Sequence, residues 1–195
     1  IDLVDISKQM LKQCQNSSIN KVCKGMLEFL TVQESCCYDA IVCTWALMYE
    51  QPQKVLNQCQ RLLKNGGYLY ILVNDQQTLP QIRKIYPKLL IEYVGSINKL
   101  MFDLPMPNNA QQLERWAKKA GLKNCRVTSK KQEFYFTDWN RAAKFVTSTG
   151  ALAGYDAMLD LKNEKIFNTL VEQLQKFFTK PCITHHFVMG IFKKG

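Results

Sequence analysis

The chain has 195 residues, 47% of them hydrophobic, and a formal net charge of +10 at neutral pH. That length and apolar share fit one folded domain with a full hydrophobic core, and they exclude a disordered chain. No run approaches the roughly 20 uncharged apolar residues that a bilayer-spanning helix needs. The positive charge by itself points equally to nucleic acid, an anionic membrane or an acidic protein partner.

The sequence opens IDLVDISKQML, without Met, and enters a strand pattern at once. No basic segment, apolar core and small-residue cleavage site precede it, so no secretory leader is expected. The reading is a chain that begins inside a domain, with residues upstream of Ile1. The eight Cys lie at 14, 23, 36, 37, 43, 59, 125 and 182. None form a CxxC pair, and the only His are the adjacent His185 and His186. Structural zinc uses paired ligands at short spacing, so no metal site is expected. Reduced, mostly buried thiols and a cytoplasmic location are the expectation. The vicinal Cys36-Cys37 reads either as a reactive pair or as an incidental one.

Residues 1–5 read as a strand ending in an acid. SKQMLKQCQ follows as a helix capped by Ser7, with Met10, Leu11 and Cys14 at helical spacing. Residues 21–25 suit a short strand, and a loop is expected after it. YDAIVCTWAL, residues 38–47, is a near-continuous apolar run, as in a parallel strand buried on both faces. Residues 51–64 carry Val55, Leu56, Cys59, Leu62 and Leu63 at helical spacing, and Gly66-Gly67 are expected to stop that helix. YLYILV, residues 68–73, is the next buried strand. The alternation means an α/β fold with a parallel sheet.

Beyond residue 75 the pattern changes. A helix is expected near Leu79–Leu90, then the breaker-rich FDLPMPNN. Residues 110–120 read as an amphipathic helix closed by Gly121. Residues 124–136 alternate as a strand with one wet face. A helix capped at Thr137 or Asp138 runs to Gly150, and another spans 163–178. ITHHFVMGIF forms a last strand. No repeat or linker divides the chain, so a single domain over 1–195 is expected.

In open α/β sheets, ligands bind beyond the carboxyl ends of the strands. That selects Asp5, the segment after Gly25, Thr44–Tyr49 and Asn74–Asp75. Asp5 fits two roles: a carboxylate offering two oxygens to a ribose diol, or a helix N-cap.

VDISKQML, YDAIVCTWAL and LLKNGGYLYIL, in this order and spacing, resemble the class I methyltransferases that use S-adenosylmethionine. The Leu-Leu-Lys-Asn-Gly-Gly turn is the most specific piece. The resemblance implies a Rossmann-like sheet, mostly parallel with an antiparallel last strand and helices on both faces. Residues 1–75 would be its cofactor-binding half, and 76–195 its substrate-side half with a helical insertion and the final strands. It implies that Asp5 binds the ribose hydroxyls, that Ile6 packs on the adenine and that Met10 packs within the following helix. Met26 and Leu27 would offer backbone groups to the adenine. Thr44, Trp45 and Ala46 would lie beside the methionine end of the cofactor, and Tyr49 beside the substrate. Two features depart from the family. None of the nine glycines forms its glycine-rich turn, which with the first strand would lie upstream of Ile1. Met26 also stands where the family often has an acid for the adenine amino group.

FYFTDWNRAAKFVTSTGALAGYDAML and PCITHHFVMGIFKKG are similar to the tail of the malonyl-[acyl-carrier protein] O-methyltransferases of biotin synthesis. Methyltransferases of trans-aconitate or juvenile hormone acid share the first half, and a non-catalytic binding protein with this fold is a further alternative. A carboxylate is already a nucleophile at neutral pH, so proximity, orientation and a dry site suffice and no catalytic base is required. This agrees with the lack of a Ser-His-Asp, HExxH or paired-carboxylate signature. His186 matches the family's tail position and is a substrate-binding candidate, the other reading of both His being strand packing.

The charge is uneven. Residues 113–146 hold nine Lys/Arg against three acids, a net of +6, whereas residues 1–50 hold four Lys against six acids. Acyl carrier proteins are strongly acidic, and complementary charge speeds such encounters. An acidic carrier protein or a small carboxylic acid is therefore the expected partner, with Arg141 or Lys144 pairing with a substrate carboxyl. The alternative is a solvated basic face. Neither nucleic acid nor a membrane is expected, since no basic-aromatic RNA-binding motif appears.

Overall fold

The computed structural model describes residues 1–98, 104–152 and 154–195, with the backbone alone for Asp156. Phe102 and Asp103 of the breaker-rich stretch lie outside the described residues. The chain divides into two compact units. One comprises Ile1–Val73, Pro105–Ser129 and Val188–Gly195; the other comprises Asn74–Leu104 and Lys130–Phe187. Each unit thus combines segments distant in sequence.

The first unit opens with β1 (Asp2–Asp5), α1 (Lys8–Gln13), β2 (Asn20–Cys23) and α2 (Met26–Val32). Then come β3 (Tyr38–Thr44), α3 (Pro52–Leu62) and β4 (Leu63–Asn74). Strands β1 and β2 pair in parallel with Asp5 opposite Cys23, and β3 and β4 pair in parallel with Thr44 opposite Leu72. The register therefore brings the carboxyl ends of paired strands level. After α4 (Pro80–Glu92) the chain continues through α5 (Ala110–Lys119), β5 (Leu122–Tyr135), α6 (Trp139–Ser148), α7 (Tyr155–Met158), α8 (Glu164–Phe177) and β6 (Cys182–Lys194). The strand order is β1-β2 in one sheet and β3-β4-β6-β5 in the other.

The core of the first unit forms where α3 and α5 cover one face of β4. Val55, Leu56, Cys59 and Leu62 of α3 meet Leu113 and Ala117 of α5 and Leu69, Ile71 and Val73 of β4. Their spacing along α3 is the helical spacing of the sequence, and each large side chain withdrawn from water contributes about 1.5–3 kcal/mol. The opposite face differs from the expectation of strands buried on both sides. Val42 is 68% exposed, Tyr68 36% and Tyr70 39%. Alternate residues of a strand face opposite ways, and Val42, Tyr68 and Tyr70 alternate with the core residues Cys43, Leu69 and Ile71.

Other boundaries also differ. Residues 26–32, expected as a loop, form α2, because Phe29 and Leu30 are buried against the core. Helix α3 ends at Leu62, where Leu63 turns to φ −65 and ψ 140, ahead of the two glycines. Gly66 does take φ +80. Gly67 serves close approach instead: a Cβ there would stand 2.9 Å from both the Asp39 and Lys64 carbonyls. Met10 is 62% exposed and does not pack; Leu11 is the residue of α1 that is buried.

The second unit packs α4, α6 and α8 around Ile82, Leu89, Trp139, Ala142, Leu170 and Leu174. The Trp139 indole donates to the Phe178 carbonyl at 3.2 Å, which satisfies the polar atom of a buried ring. Asp138 caps α6 by accepting from the Arg141 amide at 2.8 Å, and Asn163 caps α8. The short α7 had no periodic signal in the sequence. Among the described residues, no helix is long and apolar enough to cross a membrane.

Candidate functional site

In the first unit the carboxyl ends of β1, β2 and β3 come together. The Cys23 thiol donates to the Ile6 carbonyl at 3.5 Å, joining the end of β2 to the end of β1. The Cys43 thiol reaches the Met26 thioether at 3.9 Å, joining β3 to the start of α2. A Cβ on Gly25 would stand 3.9 Å from Glu50 Oε1, so the bend after β2 also lies beside the segment after β3. Asp5, Ile6, Met26 and Leu27 are thus gathered at one end of the strands, with Thr44, Trp45, Ala46 and Tyr49 on the segment that follows β3.

Each side chain has a local cause for its place. Asp5 Oδ1 accepts from the Ser7 amide at 2.7 Å, and Ser7 Oγ accepts from the Met10 amide at 3.3 Å. One carboxylate oxygen therefore sets the turn into α1. The N-cap of α1 is Ser7 and not Asp5, whose carboxylate instead holds the backbone of that cap. Ile6, next to Asp5, is 78% exposed. Met26, Leu27 and Ala46 are half-buried against the core, so it is their backbone that is held in place.

Trp45 adopts a left-handed φ of +56, unusual for a residue with a Cβ. Its amide donates to the Leu72 carbonyl at 2.7 Å, so pairing with β4 fixes the backbone at the moment β3 ends. Thr44 is exposed, and Trp45 and Tyr49 are 39% and 49% exposed. Sequence reading had no signal for the strained Trp45, since glycine is the usual marker of that conformation. Burial pushes the Cys43 thiol up to about 11, so it is a neutral packing group beneath this segment.

The second unit holds the remaining candidates. Arg141 and Lys144 lie exposed on α6, where Asp138 Oδ2 stands 3.9 Å from Arg141 Nε. His186 is half-buried and held by its backbone. Its amide donates to Thr78 Oγ1 at 3.3 Å, and its carbonyl accepts from the Asp75 amide at 3.1 Å. Asn74, Asp75, Thr78 and Thr184 are all buried in this unit. Gln81 completes the group by bonding Thr184 through both ends of its amide, at 2.9 and 3.2 Å. His185 stands edge-on to Phe134 at 5.7 Å, and burial holds its imidazole below the ordinary His value. Among the described residues, no group of three or more His, Cys, Asp and Glu is placed to hold a metal ion.

Residues 1–71 match a family described as a methyltransferase domain. A protein of Galdieria sulphuraria, provisionally described as a sarcosine dimethylglycine methyltransferase, is 16% identical with a TM-score of 0.55, covering 100% of this chain and 69% of its own. A provisionally described methyltransferase of Bacillus halodurans is 14% identical with a TM-score of 0.57, covering 99% and 82%. A geranyl diphosphate methyltransferase in complex with S-adenosylmethionine is 12% identical with a TM-score of 0.52, covering 100% and 68%. No curated protein matches the chain. Residues 1–71 thus resemble a methyltransferase domain, and the chain has the α/β fold class of these structures. The acceptors of the structural relatives differ from one another, so the class leaves the acceptor to be argued from the chain itself.

Proposed function

We propose that the protein is an O-methyltransferase that esterifies the free carboxylate of a malonyl thioester on acyl carrier protein, a step of biotin precursor synthesis. Support for cofactor binding comes from one observation above all: Asp5 and the exposed Ile6 stand together where β1, β2 and β3 end. In this reading Asp5 holds the ribose hydroxyls, Ile6 covers one face of the adenine, and the Met26 and Leu27 backbone groups meet its edge. Thr44, Trp45 and Ala46 line the methionine end, and Tyr49 borders the acceptor.

S-adenosylmethionine supplies the methyl group from its sulfonium. The residues of the chain bind, orient and exclude water; none has to remove a proton, because the acceptor carboxylate is already ionised at neutral pH. Arg141 and Lys144 are cations that suit a carboxylate, and His186 has a backbone fixed by Thr78 and Asp75. The carrier protein is favoured over a free acid by charge. Lys118, Lys119, Lys123 and Arg126 are exposed in the first unit, and Lys130 and Lys131 in the second. An acidic carrier gains association rate from such groups, with strong salt dependence.

The test is methyl transfer from S-adenosylmethionine to malonyl-carrier protein and, separately, to free malonate and other small acids. Transfer to the carrier-bound acid with little to the free acids is expected. Equal or better transfer to a free acid would overturn the carrier assignment.

A further inference from the structure

We propose that Cys36 and Lys194 form an oxidation-dependent covalent bridge between their side chains. Lys194 Nζ stands 3.5 Å from Cys36 Sγ, although 158 positions separate the two in sequence. The contact is fixed from both sides. Lys194 Nζ also donates to the Leu63 carbonyl at 2.8 Å and to the Arg61 carbonyl at 3.4 Å. The Cys36 amide donates to that same Arg61 carbonyl at 3.1 Å. One carbonyl oxygen therefore registers the amine and the backbone of the cysteine against each other. Cys36 adopts a left-handed φ of +56 and is exposed, so its sulfur is open to a small oxidant. Lys194 is half-buried, which limits where its amine can go.

Two nucleophiles held in contact beside solvent are suited to a two-step reaction with hydrogen peroxide. The Cys36 thiol attacks peroxide and becomes a sulfenic acid; sulfur is oxidised, peroxide is reduced, and one water leaves. The Lys194 ammonium then gives a proton to solvent, and its lone pair forms an N–S bond. The S–O bond breaks, and the leaving hydroxide takes a second proton from the nitrogen and departs as a second water. The product is a sulfenamide, chemistry that sulfenic acids show with nearby nitrogen. A thiol reductant reverses it by attacking the sulfur and releasing the amine. The bridge joins the end of β6 to the segment leading into β3. Cys37 is the competing thiol, but its amide is engaged by the Leu62 carbonyl at 2.9 Å, and Lys194 contacts the sulfur of Cys36.

The experiment treats the protein with limited hydrogen peroxide, blocks free thiols, digests it and sequences linked peptides by mass spectrometry. The expected product joins the Cys36 and Lys194 peptides with a mass two hydrogen atoms below their sum. It disappears on thiol reduction, persists in Cys37→Ser and is absent in Lys194→Met. The bridged form unfolds at a higher temperature than the reduced form. A Cys36–Cys37 disulfide, or Cys36 advanced to a sulfinic acid with Lys194 unlinked, in the unsubstituted protein overturns the proposal.

Discussion

The Tyr38 hydroxyl donates to Asp2 Oδ2 at 2.7 Å and so ties the first residue of β3 to the first residue of β1. Among the described residues no backbone pairing joins these strands, which belong to separate sheets. The Asn20 amide donates to the other oxygen of the same carboxylate at 2.8 Å, so Asp2 connects three strand starts. The Tyr38 bond, followed by that of Asn20, holds the Asp2 carboxyl below its ordinary value. Burial, then the bond to Asp2, pushes the Tyr38 phenol up.

Tyr38→Phe removes this tie while keeping the ring. A loss of about 0.5–1 kcal/mol is expected, the worth of one hydrogen bond at a partly solvated site. A depressed carboxyl stabilises the fold above its unfolded value of 3.8 and loses that contribution as pH falls through the lower folded value. Urea unfolding between pH 2 and 5 should therefore show a steeper acid loss in the parent than in the variant. Equal slopes would remove the role assigned to the pair.

His185 gives a second pH dependence of the same sign from a different cause. Burial depresses its imidazole from 6.5, so the neutral form is the one the fold accepts. Its contribution is present above 6.5 and is lost as pH falls through the lower folded value. His185→Phe preserves an aromatic neighbour for Phe134 and should flatten the stability profile between about pH 5 and 7. An unchanged profile would contradict the assignment.

The cysteines should divide by burial under alkylation. Cys43 and Cys59 are buried with raised thiol values, whereas Cys23, Cys36, Cys37 and Cys125 are exposed. Iodoacetamide at neutral pH should label the exposed set within minutes and the buried pair only after unfolding, as read by peptide mass. Early labelling of Cys59 would show that α3 does not pack as described.

Gly67→Ala tests the close approach of backbone within β4. Its Cβ would clash with the Asp39 and Lys64 carbonyls, which cannot yield as a side chain would. A loss of about 1–3 kcal/mol is expected, whereas Gly95→Ala, in open space, should be near neutral. Comparable midpoints for the two variants in thermal unfolding would refute the close-approach reading.

Much of the fold was legible because its causes are local. The spacing of Val55, Leu56, Cys59 and Leu62 defines α3, and Ser7, Asp138 and Gly121 mark ends that the structure retains. The carboxyl ends of the expected strands pointed to Asp5 and to the segment after β3. Helix α2 was missed because seven residues carry too little periodicity, and only burial of Phe29 and Leu30 reveals it. The open face of β3 and β4 was missed for a related reason. An apolar run such as YDAIVC reports what a strand could bury and does not report what covers it. The left-handed Trp45 and the Cys36–Lys194 contact arise from tertiary pairing over long separations, which no local pattern encodes.

In the proposed function, the strand ends around Asp5 bind the nucleoside of S-adenosylmethionine. Titration calorimetry with S-adenosylhomocysteine tests it most directly, using the parent, Asp5→Ala and Ser7→Ala. Ser7→Ala removes the cap of the same helix without touching the carboxylate. Binding by the parent is predicted, with a loss of at least about tenfold, or 1.4 kcal/mol, in Asp5→Ala and little change in Ser7→Ala. No binding by the parent, or equal affinity in Asp5→Ala, would contradict the account.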